Sequence, residues 1–154
     1  MLNKNNKEKI IVSVPGILPQ GWKARSVSFG GYGKTRAPEN AFIVTNKRII
    51  FLVVPLYGAG KIIYGTNMQM LHYWFCKKII KRKLGELIQY NTLEQILTMN
   101  EKNFALSLSN IDKIKIKRKR ITFLLKNKEK YIYLLKNKSI SKDLEKVFAN
   151  YLEK

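Results

Sequence analysis

Acidic residues are scarce in this chain: 10 Asp and Glu stand against 30 Lys and Arg in 154 residues, a formal charge of +20. An AT-rich coding bias accounts for abundant Lys, Asn and Ile, but it does not remove Glu. The excess therefore points to a polyanionic partner. Cysteine is limited to Cys76, so no disulfide framework forms within the chain and a reducing, cytoplasmic setting is expected. One histidine and one cysteine cannot close a zinc site without two carboxylates. The few acids are dispersed, with no paired carboxylates at a telling spacing, and no cofactor or metal is expected. Long apolar runs are also missing. The uncharged apolar stretch Ile49 to Gly60 is broken by Pro55 and two glycines and is too short to span a bilayer. The lysines before Ile10–Leu18 faintly resemble a signal peptide, but Pro15-Gly16 interrupts the apolar part. Lys9 to Val14 is expected to be a first strand, ended by Pro15-Gly16.

What is present is a chain long enough for one domain with a substantial core, and the organisation expected is a single domain over residues 1–154. Its most informative stretch is Ala41 to Val54, AFIVTNKRIIFLVV. Two apolar runs flank Thr45-Asn46-Lys47-Arg48, the pattern of two strands joined by a tight turn. From Met68 the period changes. Met70, Tyr73, Cys76, Ile80, Leu84, Leu87 and Ile88 fall on one side of a helix, with Lys78 and Arg82 opposite and Lys81 near the boundary. Thr92 and Gln95 form a capping box for a second, short helix. Strands then return: Phe104 to Ser109, a lysine-rich strand around Ile114 and Ile116, Ile121 to Leu125, and Tyr131 to Leu135. Ser141 reads as the N-cap of a last helix, whose Leu144, Val147, Phe148, Tyr151 and Leu152 repeat at the spacing of one apolar face.

Strands, an inserted helical segment over 68–100, more strands and a closing helix make an α+β domain. At this point the chain resembles the bacterial and archaeal PH-like (GRAM-like) domains. Phe42 to Phe51, FIVTNKRIIF, looks like that group's strand-turn-strand. Leu108 to Ile114, the hairpin from Ile121 to Leu135 and the closing helix also fit. The resemblance implies a partly open antiparallel β-barrel capped by a C-terminal amphipathic helix, and a binding module rather than an enzyme.

Two motifs mimic catalytic ones. Ser28 to Thr35 is one residue from a phosphate-binding loop, but Ser28 replaces the first glycine and Pro38 is misplaced for the helix such a loop needs. His72 and Cys76 lie four apart, with no third group to orient the imidazole.

The sharpest functional pattern is on the inserted helix. Trp74 and Phe75 precede Lys77, Lys78, Lys81, Arg82 and Lys83. Rings beside amines suit the headgroup layer of a membrane. Five bases at about 1 kcal/mol each would give about 5 kcal/mol against an anionic leaflet. The expected partner is thus an anionic lipid surface or an acidic protein, with the chain peripheral at the inner face of the membrane. The competing reading is a helix packed on the barrel with its lysines in water. A second polyanion face is read from Lys113, Lys115, Lys117 and Lys119 on one side of a strand, repeating about every 6.8 Å. Such a ladder can follow nucleic-acid phosphates, although no RNA-recognition, helix-turn-helix or zinc-finger signature accompanies it.

Overall fold

Proline and glycine in the middle of β1 (Ile10–Pro19) do not end the strand. Instead they bend it. Gly16 adopts φ 73°, in the region open to glycine, and the pairing register shifts between Pro15 and Ile17. A bulge tolerates a residue without an N–H and sharpens the local turn of the strand. Before the bend β1 pairs with β2 (Asn40–Thr45), and beyond it Leu18 and Pro19 pair with β7 (Lys130–Leu134). The expected stop at Pro15-Gly16 is therefore corrected: β1 crosses from one sheet to the other.

The computed structural model describes residues 7–19, 40–54, 68–135 and 138–152, with side chains described except at 18–19 and 68–77. Among these, the elements continue with β3 (Arg48–Val53), α1 (Met68–Tyr90), α2 (Leu93–Thr98), β4 (Phe104–Ser107), β5 (Ile111–Lys117), β6 (Arg120–Leu125) and α3 (Lys138–Val147). The strand order is β4-β3-β2-β1-β7-β6-β5, and every pairing between strands is antiparallel. It forms a four-stranded and a three-stranded sheet joined through β1, in a mixed α+β fold. The terminal strands β4 and β5 are linked by the single turn Leu108–Asn110 but do not pair, so the barrel is not closed.

Two apolar layers explain the uninterrupted runs of the opening hairpin. Phe42, Val44, Ile49 and Phe51 point inward to a core shared with Ile114, Ile121, Phe123 and Tyr133. Their alternates Ala41, Ile43, Ile50 and Leu52 point outward and are covered by Ile80 and Leu84 of α1 and Ile96 of α2. A strand buried on both faces loses the alternation of a half-exposed one. The inner core is rich in rings. Phe123 meets Phe42, Phe51 and Phe148 edge-on at centroid distances of 6.3, 5.6 and 6.0 Å, while Tyr133 stacks on Phe51 at 4.9 Å. Edge-to-face and offset contacts are the favoured aromatic geometries. Burial pushes the Tyr133 phenol far above its ordinary range.

The turn Thr45-Asn46-Lys47-Arg48 is held as part of the scaffold. Thr45 Oγ1 accepts from the backbone N–H groups of Lys47 and Arg48 at 3.1 and 2.9 Å and donates to Glu8 at 2.7 Å. Arg48 donates to both Glu8 carboxylate oxygens at 2.9 and 3.0 Å and also bonds Glu94 of α2. One guanidinium thus ties the N-terminal segment, β3 and the inserted helices together.

The capping box of α2 is present: Thr92 Oγ1 accepts from Gln95 N at 3.2 Å, and Gln95 Oε1 accepts from Thr92 N at 2.8 Å. At the other end Asn103 Nδ2 donates to the Ile96 carbonyl, and its Oδ1 accepts from Val53 N.

Three other expectations change at element ends. The strand from Phe104 stops at Ser107 and tightens into Leu108–Asn110. α3 begins at Lys138, so Ser141 is not its N-cap; its buried hydroxyl donates instead to the Arg118 carbonyl at 2.8 Å. α3 also ends at Val147, and Leu152 reaches the core through a parallel bridge to Ile114. The phosphate-loop-like segment Ser28–Thr35 lies outside the described residues.

Gly85 sits exposed within α1, and a Cβ there would meet nothing within 4 Å. Glycine costs a helix interior roughly 0.5–1 kcal/mol relative to alanine. Gly85→Ala is therefore expected to raise stability by about that amount in urea unfolding.

Candidate functional site

α1 presents different residues to the protein and to solvent because its apolar side chains recur at three- and four-residue intervals. Ile80 and Leu84 are buried against the outer face of β2 and β3, and Leu87 and Ile88 pack beside them. Burying two such side chains stabilises docking by about 3–6 kcal/mol, so this part of the helix is held on the sheet. Lys78, Lys81 and Arg82 are exposed and Lys83 is half-buried. Arg82 forms an ion pair with Glu86 at 3.7 Å, one turn on. Both side chains of that pair are mostly in water, so it contributes little. Lys77, Trp74 and Phe75 lie on the backbone of α1, and their side chains fall outside the described residues, as do those of His72 and Cys76. At the ends of the two helices Tyr90 and Met99 are 74% and 52% exposed.

The second basic surface is the outer face of the β5–β6–β7 sheet. Strand registers arrange it in three rows: Lys113 beside Leu124 and Lys130, Lys115 beside Thr122 and Ile132, and Lys117 beside Arg120 and Leu134. Lys113, Lys115, Lys117, Arg120 and Lys130 are exposed, Leu134 is 37% exposed, and Leu124 and Ile132 are half-buried. The face measures about 14 Å along β5 and about 10 Å across.

Lys119 does not belong to this face. β5 ends at Lys117 and β6 starts at Arg120, so Arg118 and Lys119 form a two-residue turn in which Arg118 takes φ 56°. Strand alternation stops where the turn begins, and the expected ladder of four lysines is a ladder of three. The Lys119 carbonyl instead accepts from Leu135 N at 2.6 Å. Arg120, Lys130 and Leu134 join the face only through cross-strand register, which requires the turn positions to be known.

Among the described residues no group of His, Cys, Asp and Glu is placed to hold a metal ion. A cleft between Ile17, Ala41, Phe51, Lys102 and Tyr133 offers about 20 Å³, room for about one water molecule. No described helix is long and apolar enough to cross a membrane. No family model, curated protein or solved structure matches this chain.

Proposed function

We propose that the chain is a non-catalytic PH-like binding module that docks on an anionic lipid surface through α1. The observation that carries this reading is the division of that helix. Ile80 and Leu84 are buried in the protein, and Lys78, Lys81 and Arg82 are exposed. Exposed Tyr90 and Met99 add apolar groups to the same helical layer, suited to the boundary between headgroups and acyl chains. The PH-like part is supported by the four-plus-three sheet arrangement sharing β1 and by Leu144 and Phe148 of the C-terminal segment, which fill the interior between the sheets.

Each base near an anionic leaflet contributes about 1 kcal/mol. Replacing Lys78, Lys81 and Arg82 together with alanine is expected to weaken binding to phosphatidylserine-containing vesicles more than tenfold. The measurement is a vesicle titration read by co-sedimentation. Unchanged affinity in the triple variant removes α1 from the contact.

A second reading, nucleic-acid binding, is favoured by one observation: three lysines in register on an exposed strand face. It requires a mobility shift of a mixed oligonucleotide pool at low salt, falling steeply as salt is added. The absence of any shift at low salt removes it.

A further inference from the structure

We infer that the outer face of the β5–β6–β7 sheet is a second contact for anionic lipid, turned away from α1, so that one molecule bridges two bilayers. This rests on the lipid reading of α1. The layer order carries it. α1 lies on the outer face of β2 and β3. The inner faces of β2 and β3 meet the inner faces of β6 and β7 through Phe42 against Phe123 at 6.3 Å and Phe51 against Tyr133 at 4.9 Å. The outer face of β5–β6–β7 is therefore on the far side of the core from the helix.

Packed sheets are about 10 Å apart, and a helix with its side chains adds about 10 Å more. The two basic surfaces are separated by well over the Debye length of about 8 Å at physiological salt. Each responds to its own counter-surface, and a single flat bilayer reaches only one of them.

The composition of the sheet face favours lipid over nucleic acid. Its described residues alternate bases with Leu124, Ile132, Leu134 and Thr122, and no aromatic side chain stands among them. Single-stranded nucleic acid is held by stacking its bases on rings. Aliphatic groups among lysines instead suit an interfacial layer, where stems lie in the apolar boundary and amines meet headgroup phosphates.

The test uses the full chain with vesicles of phosphatidylserine and phosphatidylcholine, reading binding by co-sedimentation and clustering by dynamic light scattering. The wild type is expected to pellet with the vesicles and to cluster them. K113E/K115E/K117E is expected to pellet still, through α1, yet to cluster at least about tenfold less at equal bound protein, because linkage of two sites is lost. K78E/K81E/R82E is expected to bind the vesicles more weakly, through the sheet face alone, and at equal bound protein to cluster them at least about tenfold less. All six positions are exposed; circular dichroism checks folding, and Lys→Gln and Arg→Gln versions replace any glutamate variant that fails it.

Wild type that pellets but leaves the vesicles dispersed overturns the bridging inference and leaves the α1 reading intact. So does K113E/K115E/K117E that clusters as the wild type does, or an oligonucleotide shift abolished in that variant while vesicle clustering persists. Wild type that pellets with no anionic vesicle overturns both.

Discussion

Phe123→Ala is expected to destabilise the fold by about 4 kcal/mol, the usual scale for removing a buried phenyl ring from a core that cannot collapse around the gap. Phe123 is fully buried on β6 and touches rings from three separate parts of the fold: Phe42 and Phe51 of the four-stranded sheet, Tyr133 of β7, and Phe148 just beyond α3. Its removal weakens the contact between the sheets and the seating of the C-terminal segment together. Natural domains are stable by only about 5–15 kcal/mol, so this one change takes a large share of the total. Urea unfolding at constant slope measures the loss. A change below about 1 kcal/mol would mean that the two sheets do not share one core.

Arg48→Ala is expected to cost about 3 kcal/mol, the lower end of the range for breaking a buried ion pair. The low end applies because the Arg48 and Glu8 side chains keep 22% and 19% exposure. Glu94, at 73% exposure, adds little. The pair also has a pH signature. Burial pushes the Glu8 carboxyl up, but hydrogen bonds from Arg48 and Thr45 and the charges of Arg48 and Lys47 outweigh burial and hold it below its ordinary value. A carboxyl with a depressed folded pKa contributes stability that is present above its unfolded value and is lost as pH falls through the folded one. The wild type is therefore expected to lose stability below about pH 4.5. Arg48→Ala is expected to flatten that acid limb as well as lower the plateau. Parallel pH profiles of wild type and variant would show that Glu8 draws its depression from elsewhere.

The parts of the fold legible in sequence are those set by local physics. The opening hairpin, the capping box of α2 and the apolar spacing of Leu144, Val147 and Phe148 each depend on neighbours within a few residues. The misjudged parts depend on distant ones. Pro15-Gly16 reads as a stop because a strand interior loses a ladder hydrogen bond at proline; here the bulge places it at the bend between two sheets. Ser141 has the chemistry of an N-cap, but the Arg118 carbonyl, 23 residues away, takes its hydroxyl. Lys119 fits the period of the lysine ladder until the turn at Arg118 ends the strand.

The candidate site divides the same way. Composition announces a basic surface, and helical spacing separates Lys78 and Arg82 from Ile80 and Leu84. Neither reveals that Arg120, Lys130 and Leu134 join Lys113, Lys115 and Lys117, since this follows from the register of two hairpins. Nor does sequence reveal that the helix and the sheet face present their charges on opposite sides of one core, because layer order is a tertiary property.

We propose that the charge of this chain serves binding to anionic lipid. Co-sedimentation of the wild-type chain with phosphatidylserine-containing vesicles and with pure phosphatidylcholine vesicles, at matched lipid and physiological salt, tests it most directly. Pelleting is expected with the anionic vesicles alone, weakening as salt is raised because exposed charges are screened. Equal pelleting with both, or with neither, would contradict it.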